Sequence, residues 1–250
     1  MDTAKDIIVL DKVVAGYPGN PVLEDVTFSV KEGEIFILLG GSGCGKTTVM
    51  KHMIGLNPVL AGKLTVDGLE WRRKTRAGLF AKIGVMYQSG ALFGSMTCME
   101  NVMLPMDEFS RLRRGERVEK AMSLLGDVGL ADAADKLPGE ISGGMKKRVA
   151  IARAMALDAK IIFLDEPSAG LDPITSNALD DLILALRENK GKTFVVVTHE
   201  LPSIFKIADR CAMFDKARRR MIALGRPQEL AAKSTDPFIA SFFKRGTTNV

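Results

Sequence analysis

Ile35-Phe36-Ile37-Leu38-Leu39-Gly40-Gly41-Ser42-Gly43-Cys44-Gly45-Lys46-Thr47-Thr48 runs from an apolar strand-sized segment through a glycine loop into a helical segment. Gly40–Thr47 satisfies the pattern G-x-x-x-x-G-K-[ST], and it lies after one predicted strand and before a predicted helix, Thr47–Ile54. Glycines let successive N–H groups converge on phosphate oxygens. The start of the helix adds partial positive charge. Lys46 is expected to reach the β- and γ-phosphates, and the Thr47 hydroxyl to ligate Mg²⁺. The loop therefore predicts a site for a nucleoside triphosphate.

Working outward, further short apolar runs occur at Ile83–Met86, Ile161–Leu164, Phe194–Val197 and Cys211–Phe214. Continuous apolar strands without alternation are what a parallel sheet covered on both faces produces. Helical patterns separate several of them; in Ile174–Glu188, Leu179, Leu182, Ile183 and Leu186 share one face. The expected class is α/β. Gly40, Gln88, Asp165 and His199 follow the first four runs, where an open α/β sheet binds ligands. A small antiparallel region is expected beside this core. Ile7–Val14 and Val22–Val30 flank a turn at Tyr17-Pro18-Gly19-Asn20, with alternation at Val22, Val26, Phe28 and Val30. Lys63–Val66 is closed by the turn pair Asp67-Gly68. Between Gln88 and Ser142, segments such as Met99–Phe109 and Gly115–Leu125 predict a mostly helical insertion.

Ile161-Ile162-Phe163-Leu164-Asp165-Glu166 supplies a second half of a site. Asp165 is expected to hold magnesium through its water shell, and Glu166 to orient or activate the attacking water. Standing alone, the same residues would read as a buried strand ending in a solvated acidic turn. Ser142-Gly143-Gly144 precedes the helical Met145–Leu157; serine is a good N-cap, and the amides behind it make a second anion site. The plainer alternative is a simple helix start.

The 250 residues can bury a substantial core, with 46% apolar and 26% charged residues. No apolar run approaches bilayer length, and no secretory signal is visible at the N-terminus, so the cytosol is the expected compartment. Cys44, Cys98 and Cys211 form neither a disulfide framework nor a metal-ligand spacing. The formal charge is +5, with clusters at Arg72-Arg73-Lys74, Arg111 with Arg113-Arg114, Lys146-Lys147-Arg148 and Arg218-Arg219-Arg220. These read first as solvated faces and second as attractors of anionic lipid. No aromatic residues interleave them to stack bases, so nucleic acid is not an expected partner.

The ordered set of motifs resembles the ATP-binding-cassette (ABC) ATPases along nearly the whole chain. It comprises the phosphate loop Gly40–Thr48, the glutamine loop at Gln88, the signature Ile141–Met145, the pair Asp165-Glu166, the loop Ser168-Ala169-Gly170-Leu171-Asp172 and the histidine His199. The resemblance implies a P-loop NTPase (RecA-like) core with a small antiparallel β region and a helical insertion. It implies one domain over 5–245: core 5–88 and 150–225, insertion 89–149, tail 226–250. It also implies ATP and Mg²⁺ as cofactors and a head-to-tail homodimer in which Ser142, Gly143 and Gly144 complete the site of the opposite copy. By the same resemblance Gly40, Gly41, Ser42, Gly43, Cys44, Gly45, Lys46, Thr47 and Thr48 contact the nucleotide. Tyr17 stacks on adenine (a turn tyrosine is the alternative), and Gln88 contacts magnesium or water and senses a membrane partner. His199 touches the γ-phosphate, Asp172 lies at the dimer interface, and His52, which matches no motif, is structural.

The signature departs from the common Leu-Ser-Gly-Gly-Gln at Ile141 and Met145 while keeping Ser-Gly-Gly. With Gln88-Ser89-Gly90-Ala91-Leu92-Phe93, Lys146-Lys147-Arg148, Thr198-His199-Glu200 and Gly225–Leu230, it is similar to ATPases of mammalian-cell-entry (MCE) type lipid transporters. These include the bacterial maintenance-of-lipid-asymmetry (Mla) phospholipid system. That narrower resemblance implies integral permease subunits, an MCE-type substrate-binding subunit, a small accessory subunit and a peripheral place on the cytoplasmic face of the inner membrane. The alternatives are an ABC ATPase for another solute, such as an amino acid, or a soluble ABC protein. In the tail Asp236–Arg245, Phe238, Ile239, Phe242 and Phe243 fall at helical spacing; they cover the chain's own surface or meet a partner.

Overall fold

The computed structural model describes residues 5–72 and 74–244. Arg73 of the first basic cluster, Arg245 of the tail and the start Met1–Ala4 lie outside the described residues, as do 246–250 of the expected tail. In chain order the strands are β1 (Asp6–Tyr17), β2 (Asn20–Lys31), β3 (Ile35–Gly40), β4 (Ala61–Val66), β5 (Leu69–Glu70), β6 (Ile83–Met86), β7 (Ile161–Asp165), β8 (Thr193–Val197), β9 (Arg210–Asp215) and β10 (Arg220–Gly225). The helices are α1 (Lys46–Met53), α2 (Arg76–Phe80), α3 (Cys98–Phe109), α4 (Arg114–Asp127), α5 (Gly143–Met155), α6 (Pro173–Lys190), α7 (Leu201–Ile207), α8 (Pro227–Lys233) and α9 (Pro237–Lys244). They fall into two compact units. One takes the residues up to Leu79 and those from Thr193 on, the other Phe80–Lys192.

In the first unit β3 pairs in parallel with β8 (Ile35↔Phe194) and with β9 (Phe36↔Arg210), and β10 closes antiparallel on β9. Every residue of β3 and β8 is buried, as strands covered on both faces require. β2, β1, β4 and β5 form a separate antiparallel sheet. Asp67 and Gly68 both have positive φ, 47° and 75°, the requirement of a two-residue type I′ hairpin turn. Along β2 the expected alternation is corrected. From Val13↔Val26 to Ala15↔Leu23, β2 advances one residue more than β1, beside Asp25 at φ 53°. This bulge shifts the inward face, so Leu23 is buried and Val22 is only half-buried. Glu34 is buried, and its carboxylate accepts from Arg210 Nε at 2.5 Å and Nη2 at 2.9 Å.

In the second unit β6 and β7 pair in parallel, Ile83↔Ile161 through Met86↔Leu164. Around them α3 packs on α4 and α5, and α5 on β6. Each of three helices starts on a side-chain cap. Thr97 and Glu100 form a capping box on α3, Ser142 Oγ accepts from Met145 N at 3.2 Å, and Asp172 accepts from Ile174 N and Thr175 N. Leu179, Ile183 and Leu186 form the buried stripe of α6, with Leu182 half-buried beside it.

His52, on α1, is buried: Nε2 accepts from the Gly16 N–H at 2.9 Å, and Nδ1 lies 3.1 Å from the Asn57 carbonyl. These contacts select the neutral tautomer with its proton on Nδ1. Burial pushes the His52 pKa below the ordinary 6.5. A folded pKa below the unfolded one gives a stability contribution that is complete above about pH 6.5 and lost as pH falls through the folded value. The urea midpoint is expected to fall between about pH 7 and about pH 5, and more shallowly in His52→Gln; equal slopes in the two proteins would exclude His52 as the source.

Candidate functional site

The phosphate loop belongs to the first unit and hangs from the end of β3. Two of its glycines are required by space as well as by angle. A Cβ on Gly40 (φ 140°) would sit 2.5 Å from the Phe214 carbonyl oxygen, and one on Gly45 (φ 105°) 2.8 Å from Leu23 Cδ1. Gly45 caps α1 with backbone alone: the N-cap position supplies no side-chain hydrogen bond, and no acidic residue occupies the first turn. Lys46 is buried and its ammonium donates to the carbonyls of Gly40 at 2.8 Å and Gly41 at 3.2 Å. Beside it lies a cavity of about 240 Å³ lined by Val22, Gly43, Gly45, Lys46, Thr47 and Thr48. Uncapped amides, a lysine and a threonine hydroxyl around one opening fit a polyphosphate. Ser42 is exposed at the crest of the loop, whereas Cys44 is buried, its thiol pKa raised mainly by that burial. Cys44 offers a ligand its backbone only.

Tyr17, 45% exposed, ends β1, and His52 holds the preceding residue, Gly16, from α1. His199 is exposed after β8, where the Thr198 hydroxyl accepts from Glu200 N at 3.2 Å. The tail helix α9 packs on its own unit. Ile239 and Phe243 are buried, Phe243 lies 5.6 Å from the Phe205 ring, and a Cβ on Gly41 would meet Phe238 at 4.0 Å. Asp236 caps α9 and pairs with Arg218 at 2.5 Å.

The second unit carries Gln88, Ser142, Gly143, Gly144, Asp165, Glu166 and Asp172. Asp165 is buried at the end of β7, and Glu166, half-buried beyond it, has φ 47°. Burial, then the Asp165 carboxylate, raises the pKa of Tyr87. Gln88 and Ser142 are exposed. The Asp172 carboxylate is engaged with Ile174 N, Thr175 N and Thr175 Oγ1, and the Thr175 contacts hold its pKa down. No cluster of three or more His, Cys, Asp or Glu is placed to hold a metal among the described residues. Magnesium fits such a donor set, because it takes one or two protein oxygens together with substrate phosphates and water.

The Lys146-Lys147-Arg148 cluster, expected as a solvated face, is corrected at its middle residue. Lys147 is 7% exposed and its ammonium donates to the carbonyl of Gln88 and, at 3.3 Å, to that of Glu166. Arg153 of the same helix donates to Gly90 O at 2.6 Å and Ala91 O at 2.8 Å. Sequence reading missed both residues because their partners are backbone oxygens, which leave no pattern in the side chains.

A family model described as "ABC transporter" matches residues 23–169. The probable ribonucleotide transport ATP-binding protein mkl of Mycobacterium tuberculosis is 35% identical over 238 residues, which cover 94% of this chain and 66% of that protein. This chain therefore spans just under two thirds of the length of that relative. The glutamate/aspartate import ATP-binding protein GltL of Escherichia coli is 37% identical over 214 residues, 85% of this chain and 88% of that one. The dimeric ATP-binding cassette MJ0796, in a post-hydrolysis state with ADP and Pi, superposes with a TM-score of 0.77 at 29% identity, covering 88% of this chain and 98% of that one.

Lys46→Ala is expected to weaken ATP binding about 10–100-fold, the equivalent of a charge-assisted hydrogen bond of about 1.5–3 kcal/mol. Titration with a fluorescent ATP analogue measures it, and unchanged affinity would contradict the loop as the phosphate site.

Proposed function

Because the chain belongs to the ABC transporter family and is an ATPase of that family, we propose that it energises phospholipid transport across the cell envelope as one of two identical ATPase subunits. The observation that carries the nucleotide reading is the uncapped, acid-free start of α1 with Lys46 folded over the loop. The lipid reading is supported by the altered signature Ile141–Met145 with Lys146-Lys147-Arg148 and by Gln88–Phe93, through their likeness to MCE-type transporter ATPases. We assign the substrate path to separate permease subunits, with an MCE-type subunit and a small accessory subunit, on the cytoplasmic face of the inner membrane. No described helix is long and apolar enough to cross a membrane.

In this reading the amides of Gly41–Thr48 and the Lys46 ammonium bind the phosphates, and Tyr17 stacks on adenine. Thr47 would ligate magnesium through its hydroxyl, Asp165 would hold it through its water shell, and Gln88 would contact magnesium or water. Bound magnesium neutralises phosphate charge. Glu166 takes the proton from the attacking water as its oxygen bonds the γ-phosphorus and the bond to the β–γ bridging oxygen breaks, releasing ADP and phosphate. His199 positions that water. Ser142, Gly143 and Gly144 of the second copy close on the γ-phosphate, with Asp172 at the interface. A dimer of this kind is supported by the dimeric MJ0796 cassette. ATP binding closes the dimer; hydrolysis reopens it.

The identity with GltL favours a second reading, amino-acid import. Purifying the chain with its native membrane complex separates the two. A permease with an MCE-type protein and bound phospholipid supports the first, and a complex answering to a soluble amino-acid receptor overturns it. Within either complex Glu166→Gln should bind ATP normally and lose about 10²–10⁴-fold in turnover, the usual worth of a general base. Steady-state phosphate release measures this, and undiminished turnover would eliminate Glu166 as the base.

A further inference from the structure

We propose that Lys147 is a positioning residue for ATP hydrolysis. Its ammonium fastens the backbone at Gln88 to the backbone at Glu166, so that the residue proposed to contact magnesium or water and the residue proposed as the base are held as one piece. The inference rests on the roles proposed above for Gln88 and Glu166, and all three residues lie within the second unit.

Burial of an ammonium costs several kcal/mol unless oxygens replace its water. Lys147, 7% exposed, has the carbonyls of Gln88 and Glu166 in that role. Glu166 is a non-glycine residue at φ 47°, a left-handed conformation that is unfavourable for a residue with a Cβ and persists only where surroundings enforce it. Its carbonyl is fixed from two sides, by Lys147 and by the Ala169 N–H at 3.2 Å. The glutamine loop is held in the same manner. Gly90 and Ala91 have φ of 72° and 48°, and both carbonyls are captured by Arg153.

Three carbonyls of the loop that carries Gln88 thus depend on two cations of α5, and one of those cations also holds Glu166. Both cations project from the helix that begins at Ser142. Lys147 touches backbone oxygens at both ends, so it acts on the reaction through Gln88 and Glu166. A neutral side chain of similar length would fill the same space and leave both carbonyls without the charge that orients them.

The test uses the full chain in its native transporter complex and compares Lys147→Met, Lys147→Gln, Lys147→Arg, Gln88→Ala, the double variant Lys147→Met/Gln88→Ala, and Glu166→Gln. Steady-state kcat and KM and equilibrium ATP affinity are measured for each. Lys147→Met should lower kcat about tenfold or more while ATP affinity stays within about twofold, and Lys147→Arg should recover a large part of the loss. Gln88→Ala should cost much less on top of Lys147→Met than alone, because residues acting as a unit are non-additive. An unchanged kcat, a parallel loss of affinity, or additive effects in the double variant would each overturn the proposal. Should Lys147→Met fail to fold, Lys147→Gln is judged by the same kcat and affinity criteria. If Glu166→Gln keeps full turnover, the catalytic reading itself fails. If it is inactive while the Lys147 variants match the parent, the Lys147 inference fails alone.

Discussion

Backbone amides serve as phosphate donors only if nothing else has claimed them, and this constraint shapes the first unit. At the start of α1 the usual claimants are missing: there is no capping side chain and no acidic residue in the first turn. α3, α5 and α6 begin on Thr97, Ser142 and Asp172, each accepting from its own helix. Keeping α1 bare requires the loop to be held from outside. β3, buried between β8 and β9, delivers Gly40 against the Phe214 carbonyl, and Leu23 packs on Gly45. The bulge at Asp25 is what turns Leu23 inward to make that contact. A detail of strand register thereby decides which side chain packs against the start of α1.

Charge in the second unit divides into two kinds. Pairs at the surface, such as Lys190 with Asp127, are worth roughly 0–1 kcal/mol. Lys147 and Arg153 are different in kind, since their partners are carbonyl oxygens of the glutamine loop and of Glu166. Carbonyls cannot titrate or swing away as carboxylates can, so a cation holding them fixes the course of the main chain.

Much of the fold was legible because its strands carry one kind of signal. Ile35–Leu39, Ile161–Leu164 and Phe194–Val197 are apolar throughout, and all are buried. Asp67-Gly68 was legible for an equally local reason, the positive φ that both positions demand. Of the candidate site, the strand–loop–helix setting of Gly40–Thr47 could be read, since the glycines there answer to a local geometric need. Three features could not be read. The bulge in β2 depends on pairing with β1, and apolar residues at both 22 and 23 fit either register. The helices α7 and α8 are each seven residues long, too short to show a periodic face. The burial of Lys147 follows from where two distant carbonyls come to lie, and a run of three basic residues looks the same whether its middle member faces water or the interior.

The division of the chain carries a consequence for how it is made. Residues 80–192 form one uninterrupted unit, whereas β3 finds both of its neighbours only after that segment has been synthesised. Gly33 and Thr193, which share a hydrogen bond at the root of the β3–β8 pair, are 160 residues apart. At roughly 5–20 residues per second, a ribosome separates their emergence by about 8–32 s. Throughout that interval β3, with no polar residue from Ile35 to Leu39, is an unpaired strand open to aggregation. A nascent chain stalled before Thr193 would therefore present that hazard with the remedy still untranslated.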